Sequence, residues 1–154
     1  MKKLLLALFV ALGTFAAQAQ EIKWMSMDEA LAAQKKKAKP IFMDVYTDWC
    51  GPCKMLDKNT FHDKDVVEYI NANYYAVKFN AEGQSSVTYK GKKYANPNFI
   101  AERKGRNAVH EFAMFLKVQA YPSMMVFDSK GEVKAPIVGY HQPQQLLEAL
   151  KAQK

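Results

Sequence analysis

Cys50 and Cys53 are the only cysteines among 154 residues, and both lie in the string Trp49-Cys50-Gly51-Pro52-Cys53-Lys54. Two sulfurs three positions apart can close a small disulfide ring, open to a dithiol, or supply half of a metal site. No other cysteine remains for a disulfide framework or a four-cysteine zinc site. His62, His110 and His141 are scattered without ligand spacing, so no metal is expected. A nearly continuous apolar run, residues 41–46, precedes the pair, and Pro52 suits the first turn of a helix. The pair is therefore expected at a strand-to-helix junction. There the unpaired N–H groups and the macrodipole favour an anion, so the Cys50 thiolate is favoured and its pKa is expected to fall. Cys53, one turn further in, is expected to be the more buried sulfur. Pro52 stiffens the ring and Gly51 permits its turn. We read the pair as a dithiol–disulfide redox centre in preference to a static disulfide or half a zinc site.

The flanking sequence supplies the elements that must hold this pair. Ser26-Met27-Asp28-Glu29 has capping-box spacing and predicts a helix from about Met27 to Lys37. Residues 41–46 read as a strand buried on both faces, and a helix begins at Cys50. Asp63 or Thr60 caps a second helical stretch through Val66, Val67 and Ile70, and residues 74–79 form the next strand. Residues 89–94 read as a small hairpin around Gly91. Asn107 is expected to cap a helix through Val109, Phe112, Ala113 and Leu116. Residues 123–128 and 132–138 are expected to pair antiparallel across a turn at Ser129-Lys130-Gly131. Pro143 opens a final amphipathic helix carrying Leu146, Leu147 and Leu150. The order predicts an α/β fold with a mixed sheet.

Composition sets the outer limits. Hydrophobic residues at 49% and charged residues at 24% are ordinary for a globular chain, and the length suits one domain. Residues 1–19 read as a secretory signal peptide: a basic start at Lys2-Lys3, an apolar run from Leu4 to Leu12, and Ala17-Gln18-Ala19 as the cleavage site. Residues 20–154 are then one exported domain, soluble and not membrane-inserted after cleavage. Removing Lys2 and Lys3 lowers the formal charge from +7 to +5, and +4 of that falls in residues 81–106. Such a patch can steer an acidic partner. Nucleic acid is not an expected partner, because an exported protein rarely meets it.

Trp49-Cys50-Gly51-Pro52-Cys53-Lys54 resembles the active-site string of the thioredoxin superfamily, and the resemblance covers roughly residues 40–151 apart from an insert at 81–106. It implies a thioredoxin fold, a central mixed sheet flanked by helices, with the basic insert preceding the cis-proline segment. Asp44, in Met43-Asp44-Val45-Tyr46, matches the family's buried aspartate, which assists proton transfer at the second cysteine. Lys78 matches a lysine near that aspartate, and Tyr121-Pro122-Ser123 matches the cis-proline segment. Residues 39–50 followed by Thr60-Phe61 are similar to exported thiol:disulfide interchange proteins, including the periplasmic C-terminal domain of a transmembrane electron carrier. Haem-maturation thioredoxins fit less well, because they usually carry asparagine at the Asp44 position and an added N-terminal hairpin. Two departures flank the expected substrate groove: the 69-residue separation of Cys53 and Pro122, and the large Tyr121 before the proline.

These readings assign Cys50, Cys53, Asp44 and Pro122 to catalysis and Trp49, Gly51, Pro52 and Tyr121 to substrate binding. Asp44, buried in an apolar strand, is expected to have a raised pKa and to accept the Cys53 proton. Lys78 is expected either to hold Asp44's charge state or to be a surface lysine. The Tyr121 backbone is expected to pair with an extended substrate strand. Tyr89, Tyr94 and Phe99 are expected to form a small core under the insert rather than a docking face. No nicotinamide or flavin motif is present and no cofactor is expected, so a reductant in an oxidising compartment would draw electrons from a membrane donor. The expected activity is reduction of protein or small-molecule disulfides in the periplasm or an equivalent space. An oxidase or isomerase of the same fold is the runner-up, and a binding module with incidental cysteines is a third reading.

Overall fold

The computed structural model describes residues 21–153; the signal-peptide expectation for residues 1–19 lies outside them. The chain runs β1 (Trp24–Met25), α1 (Met27–Lys36), β2 (Ile41–Tyr46), α2 (Gly51–Asn59), α3 (Lys64–Asn73), β3 (Tyr75–Asn80), β4 (Val87–Tyr89), β5 (Lys92–Tyr94), α4 (Glu111–Phe115), β6 (Ser123–Phe127), β7 (Ile137–Val138) and α5 (Pro143–Lys151). Five strands form one sheet in the order β1-β3-β2-β6-β7, and β4-β5 form a separate two-stranded sheet. β1, β3 and β2 are parallel, whereas β6 and β7 are antiparallel, so the sheet is mixed as expected.

The apolar run of β2 lies at the centre because it can be covered on both sides. Ile41, Met43 and Val45 face a layer made by α1, α4 and the β4-β5 hairpin. Phe42 faces the opposite layer, where Leu56, Val66, Val67, Ile70, Leu146, Leu147 and Leu150 converge from α2, α3 and α5. Side chains alternate along a strand, so Asp44 shares the Phe42 side. α1 starts at a capping box in which Ser26 and Glu29 satisfy each other's backbone N–H groups. Of the two candidate caps for α3, Asp63 takes the role, accepting from the N–H groups of Asp65 and Val66. Thr60 instead ends α2 and donates its hydroxyl to the His141 carbonyl at 2.6 Å.

The structure corrects three expectations and adds a strand. α4 begins at His110, not Asn107, because Asn107 closes the preceding loop through paired bonds to the Ile100 N–H and carbonyl. His110 is fully buried: its Nδ1 accepts from the Phe112 N–H, and Nε2 faces the Ser85 carbonyl. The strand expected over 132–138 is reduced to Ile137–Val138 plus an isolated bridge at Val133. Pro136, which has no N–H to donate, stands between the two. Gly51 does not have a left-handed φ, and a Cβ there would meet nothing within 4 Å, so the turn does not require glycine. β1, too short for periodicity to reveal, pairs with β3 at the sheet edge.

The insert is tied to the main body rather than hanging from it. Lys90 and Gly91, with φ of 50° and 77°, turn the hairpin. Tyr89 and Tyr94 are buried and stack around Phe112, with ring centroids 5.6 and 5.3 Å away; Phe99 is only partly buried. The Tyr89 hydroxyl donates to the Gly131 carbonyl at 2.7 Å, and the Thr88 N–H donates to Asp28 at 2.7 Å. Tyr89 and Tyr94 thus form the small core expected beneath the insert.

Candidate functional site

The parallel register that pairs β2 with β3 sets Asp44 beside Lys78, and α2 begins five residues after β2 ends. Cys50 is the N-cap residue of α2, and its sulfur accepts the Cys53 N–H at 3.2 Å. That N–H is one of the donors a helix start leaves without an intrahelical partner. An anionic sulfur at Cys50 would receive the same bond together with the helix dipole. The two sulfurs are joined as a disulfide, with Cα atoms 5.3 Å apart. Cys53 is not the more buried of the two, since the residues are 5% and 3% exposed. The closed ring and the N-cap bond fold the Cys50 sulfur back over the helix end.

Behind Cys53 lies a cavity of about 250 Å³ lined by Tyr46, Thr47, Asp48, Cys53, Lys54, Asp57 and Lys78. Its base is an ion-pair relay. The Lys78 ammonium bonds Asp44 Oδ2 at 2.8 Å and Asp57 Oδ1 at 2.7 Å. The rings of Trp24, Phe61 and Tyr46 surround the same ammonium at 4.8, 5.0 and 5.3 Å. Burial raises the Asp44 carboxyl above the ordinary aspartate range, and Lys78 only partly opposes this. Burial pulls Lys78 down, but the two carboxylates outweigh it and hold the ammonium above the ordinary lysine value. Asp44 is 1% exposed, and its Oδ1 has no hydrogen-bond partner among the described residues; nor has the buried Thr47 Oγ1. Thr47, Asp57 and Lys78 line the cavity, and Asp44 adjoins it through the Lys78 ammonium. Lys78 is therefore paired to Asp44 and is not a free surface lysine.

On the other side of the disulfide, Trp49 is 36% exposed and packs edge-to-face on Tyr121 with centroids 5.9 Å apart. The Tyr121–Pro122 peptide bond is cis, as expected. Among the described residues no hydrogen bond engages the Tyr121 N–H or carbonyl. The structure thus brings Trp49, Cys50, Cys53 and Tyr121 to one end of the sheet, with Asp44 beneath.

Two participants were not singled out in the sequence. Asp57 sits one helical turn beyond Cys53 and shares Lys78; the i, i+4 spacing from Cys53 was the available signal. Glu82 in the insert is buried, and its Oε2 accepts from the Trp49 indole N–H at 2.9 Å and the Asn107 N–H at 2.7 Å. Only the excess of basic residues around it marked that segment.

Comparison with known proteins agrees with this architecture. The Thioredoxin-like domain family matches residues 27–154. Thioredoxin Y, chloroplastic, of Oryza sativa subsp. japonica is 30% identical over 93 residues, which is 60% of this chain and 52% of that protein. The thiol:disulfide interchange protein DsbD of Vibrio vulnificus is 38% identical over 56 residues, 32% of this chain and 9% of that protein. The chain thus spans about half of the first relative and under a tenth of the second. The solution structure of a putative disulphide-isomerase from Bacteroides thetaiotaomicron superposes with a TM-score of 0.61 at 31% identity, covering 88% of this chain and 94% of that one. The family match takes in β2, the cysteine pair and the proline segment alike, and on that ground the chain belongs to the thioredoxin-like family.

Proposed function

We propose that this protein is an exported thiol–disulfide oxidoreductase that reduces substrate disulfides with the Cys50–Cys53 dithiol. The observation that carries the reading is Cys50 as the helix N-cap, its sulfur already accepting the Cys53 N–H. In the reduced protein the Cys50 thiolate attacks a substrate disulfide; one substrate sulfur leaves as a thiolate and takes a proton. Cys53, deprotonated, attacks the Cys50 sulfur of the mixed disulfide and releases the second substrate sulfur. Two electrons have then passed to substrate, and the protein is left with the Cys50–Cys53 disulfide. Asp44 receives the Cys53 proton by way of the cavity that Cys53 and Lys78 both line, the Lys78 ammonium bonding Asp44 and, with Asp57, setting its charge. The free Tyr121 backbone pairs with an extended substrate segment and Trp49 packs against it. Gly51-Pro52 between the cysteines favours the reducing direction in this family resemblance. Reoxidised protein is regenerated by a membrane electron donor outside the cytoplasm, reached because residues 1–19 direct export.

The test is the equilibrium reduction potential of the pair, titrated in glutathione or dithiothreitol buffers. A value near about −270 mV supports the reductant. A value between about −180 and −120 mV assigns the protein to isomerase or oxidase chemistry instead.

A further inference from the structure

The insert places a cation on Trp49, the residue before Cys50. The Arg106 guanidinium lies 4.4 Å from the centroid of the Trp49 ring, one residue from Cys50. Its loop is a built one. Asn96 Nδ2 donates to the carbonyls of Gly83 and Ala108 at 3.0 and 2.7 Å, and Glu82 holds both the indole N–H and the Asn107 N–H. Arg106 therefore stacks on a ring that is itself fixed. Among the described residues it makes no ion pair, and it is solvent-exposed, so its planar fork of N–H donors is open outward. Exposed Arg103 and Lys104 continue the charge along the loop, and exposed Lys54 follows Cys53. Carboxylates stand nearby: buried Glu82 is held by two N–H donors, and exposed Asp48 accepts from Asn80 at 3.1 Å. Both keep their charge, but among the described residues neither they nor exposed Glu102 forms an ion pair with Arg106, whose guanidinium stays unpaired.

We infer that Arg106 is a specificity-determining residue, which selects disulfides in protein segments that carry a carboxylate side chain beside the cystine. The inference rests on the dithiol reading above and names its substrate class. A carboxylate flanking the attacked sulfur meets the open guanidinium while the segment lies along Tyr121 and Trp49. Arg103 and Lys104 add longer-range attraction, which salt screens.

The experiment compares three peptide disulfides that differ only in the residue next to the cystine: Glu, Gln or Lys. The ratio of kcat/KM values is read within each protein variant at low and high salt. The parent is expected to favour Glu over Gln about fivefold at low ionic strength, in keeping with one partly exposed charged contact, and to place Lys below Gln. Arg106→Gln brings the Glu:Gln ratio near one, Arg106→Glu inverts it, and Arg106→Lys keeps part of it. Lys36→Gln removes the same charge from the last turn of α1, which leads to the start of β2 rather than to its Cys50 end, and keeps the parental ratio. A parental ratio near one, or a ratio that Arg106→Gln leaves unmoved, overturns the inference while the reductase stands. Failure to reduce any of the three peptides overturns the dithiol reading and the inference with it.

Discussion

Replacing Lys78 by methionine removes one charge from the relay and leaves an apolar stem among Trp24, Tyr46 and Phe61. At 2.8 Å and an effective dielectric of about 20, the Lys78–Asp44 attraction amounts to about 6 kcal/mol before desolvation is counted. Breaking a buried pair by removing one partner costs about 3–5 kcal/mol. Lys78 is 26% exposed and divides its charge with Asp57, which places the expected loss at about 3 kcal/mol. The loss carries a pH signature. Burial raises the Asp44 carboxyl, so its contribution to stability is fully present below the ordinary aspartate range and falls as pH rises through the raised folded value. Lys78 limits that fall; without it Asp44 keeps its proton to still higher pH and the folded state loses more on ionisation. Lys78 itself is held above its ordinary value, so its help persists through neutral pH and disappears only in strong alkali. The deficit of Lys78→Met should therefore shrink as acid protonates Asp44, leaving the share owed to Asp57, and should grow toward pH 9. Urea unfolding of the oxidised parent, Lys78→Met, Asp44→Asn and the double variant, each at pH 5, 7 and 9, yields the coupling energy directly. A coupling under about 0.5 kcal/mol at pH 9, or a deficit independent of pH, would refute the electrostatic reasoning.

Cys53→Ser should accumulate a mixed disulfide between Cys50 and substrate, visible by mass spectrometry, whereas Cys50→Ser should trap none. Phe112→Ala empties the contact shared by Phe79, Tyr89, Tyr94 and Phe115 and should cost about 3–5 kcal/mol in chemical denaturation. Tyr89→Phe, which loses the hydroxyl's bond to the Gly131 carbonyl and its contact with the Lys90 side chain, should cost about 1 kcal/mol by the same measurement. Gly51→Ala enters open space at an ordinary φ and should move stability by less than about 0.5 kcal/mol, read as an almost unchanged Tm.

Legibility followed the range of the interaction concerned. Local signals were clear: the capping box at Ser26, the proline that opens α5, and the run of β2 that announces burial on both faces. The cysteine pair was placed correctly at its helix start because strand, Pro52 and spacing agree. Asp44 and Lys78 became partners through the register of two parallel strands, which residue order alone leaves open. Asp57 and Glu82 were missed because each acts across the fold, one on Lys78 and the other on Trp49. Asn107 misled for a related reason. Its side chain is a good helix cap, but a nearer use in closing the loop onto Ile100 claimed it first. The shortened β7 shows the opposite case: Pro136 stood in the sequence as a strand breaker, yet a strand was expected to run through it over 132–138.

The insert leaves and rejoins the sheet at one place. The Ala81 N–H donates to the Tyr46 carbonyl, and the Ala81 carbonyl receives the N–H of His110, where α4 starts. The excursion is thus a closed ring on a fixed neck. Closing a flexible loop costs only about 0.6 kcal/mol more for each doubling of its length. The exposed stretch of residues 101–105 can therefore be lengthened, shortened or exchanged with little change to the strand and helix that carry Cys50, so long as the bonds of Asn96 and Asn107 are kept. On the inference drawn for Arg106, substrate choice can be varied on this ring while the strand and helix that carry Cys50 stay in place, provided Glu82 keeps its hold on the Trp49 indole.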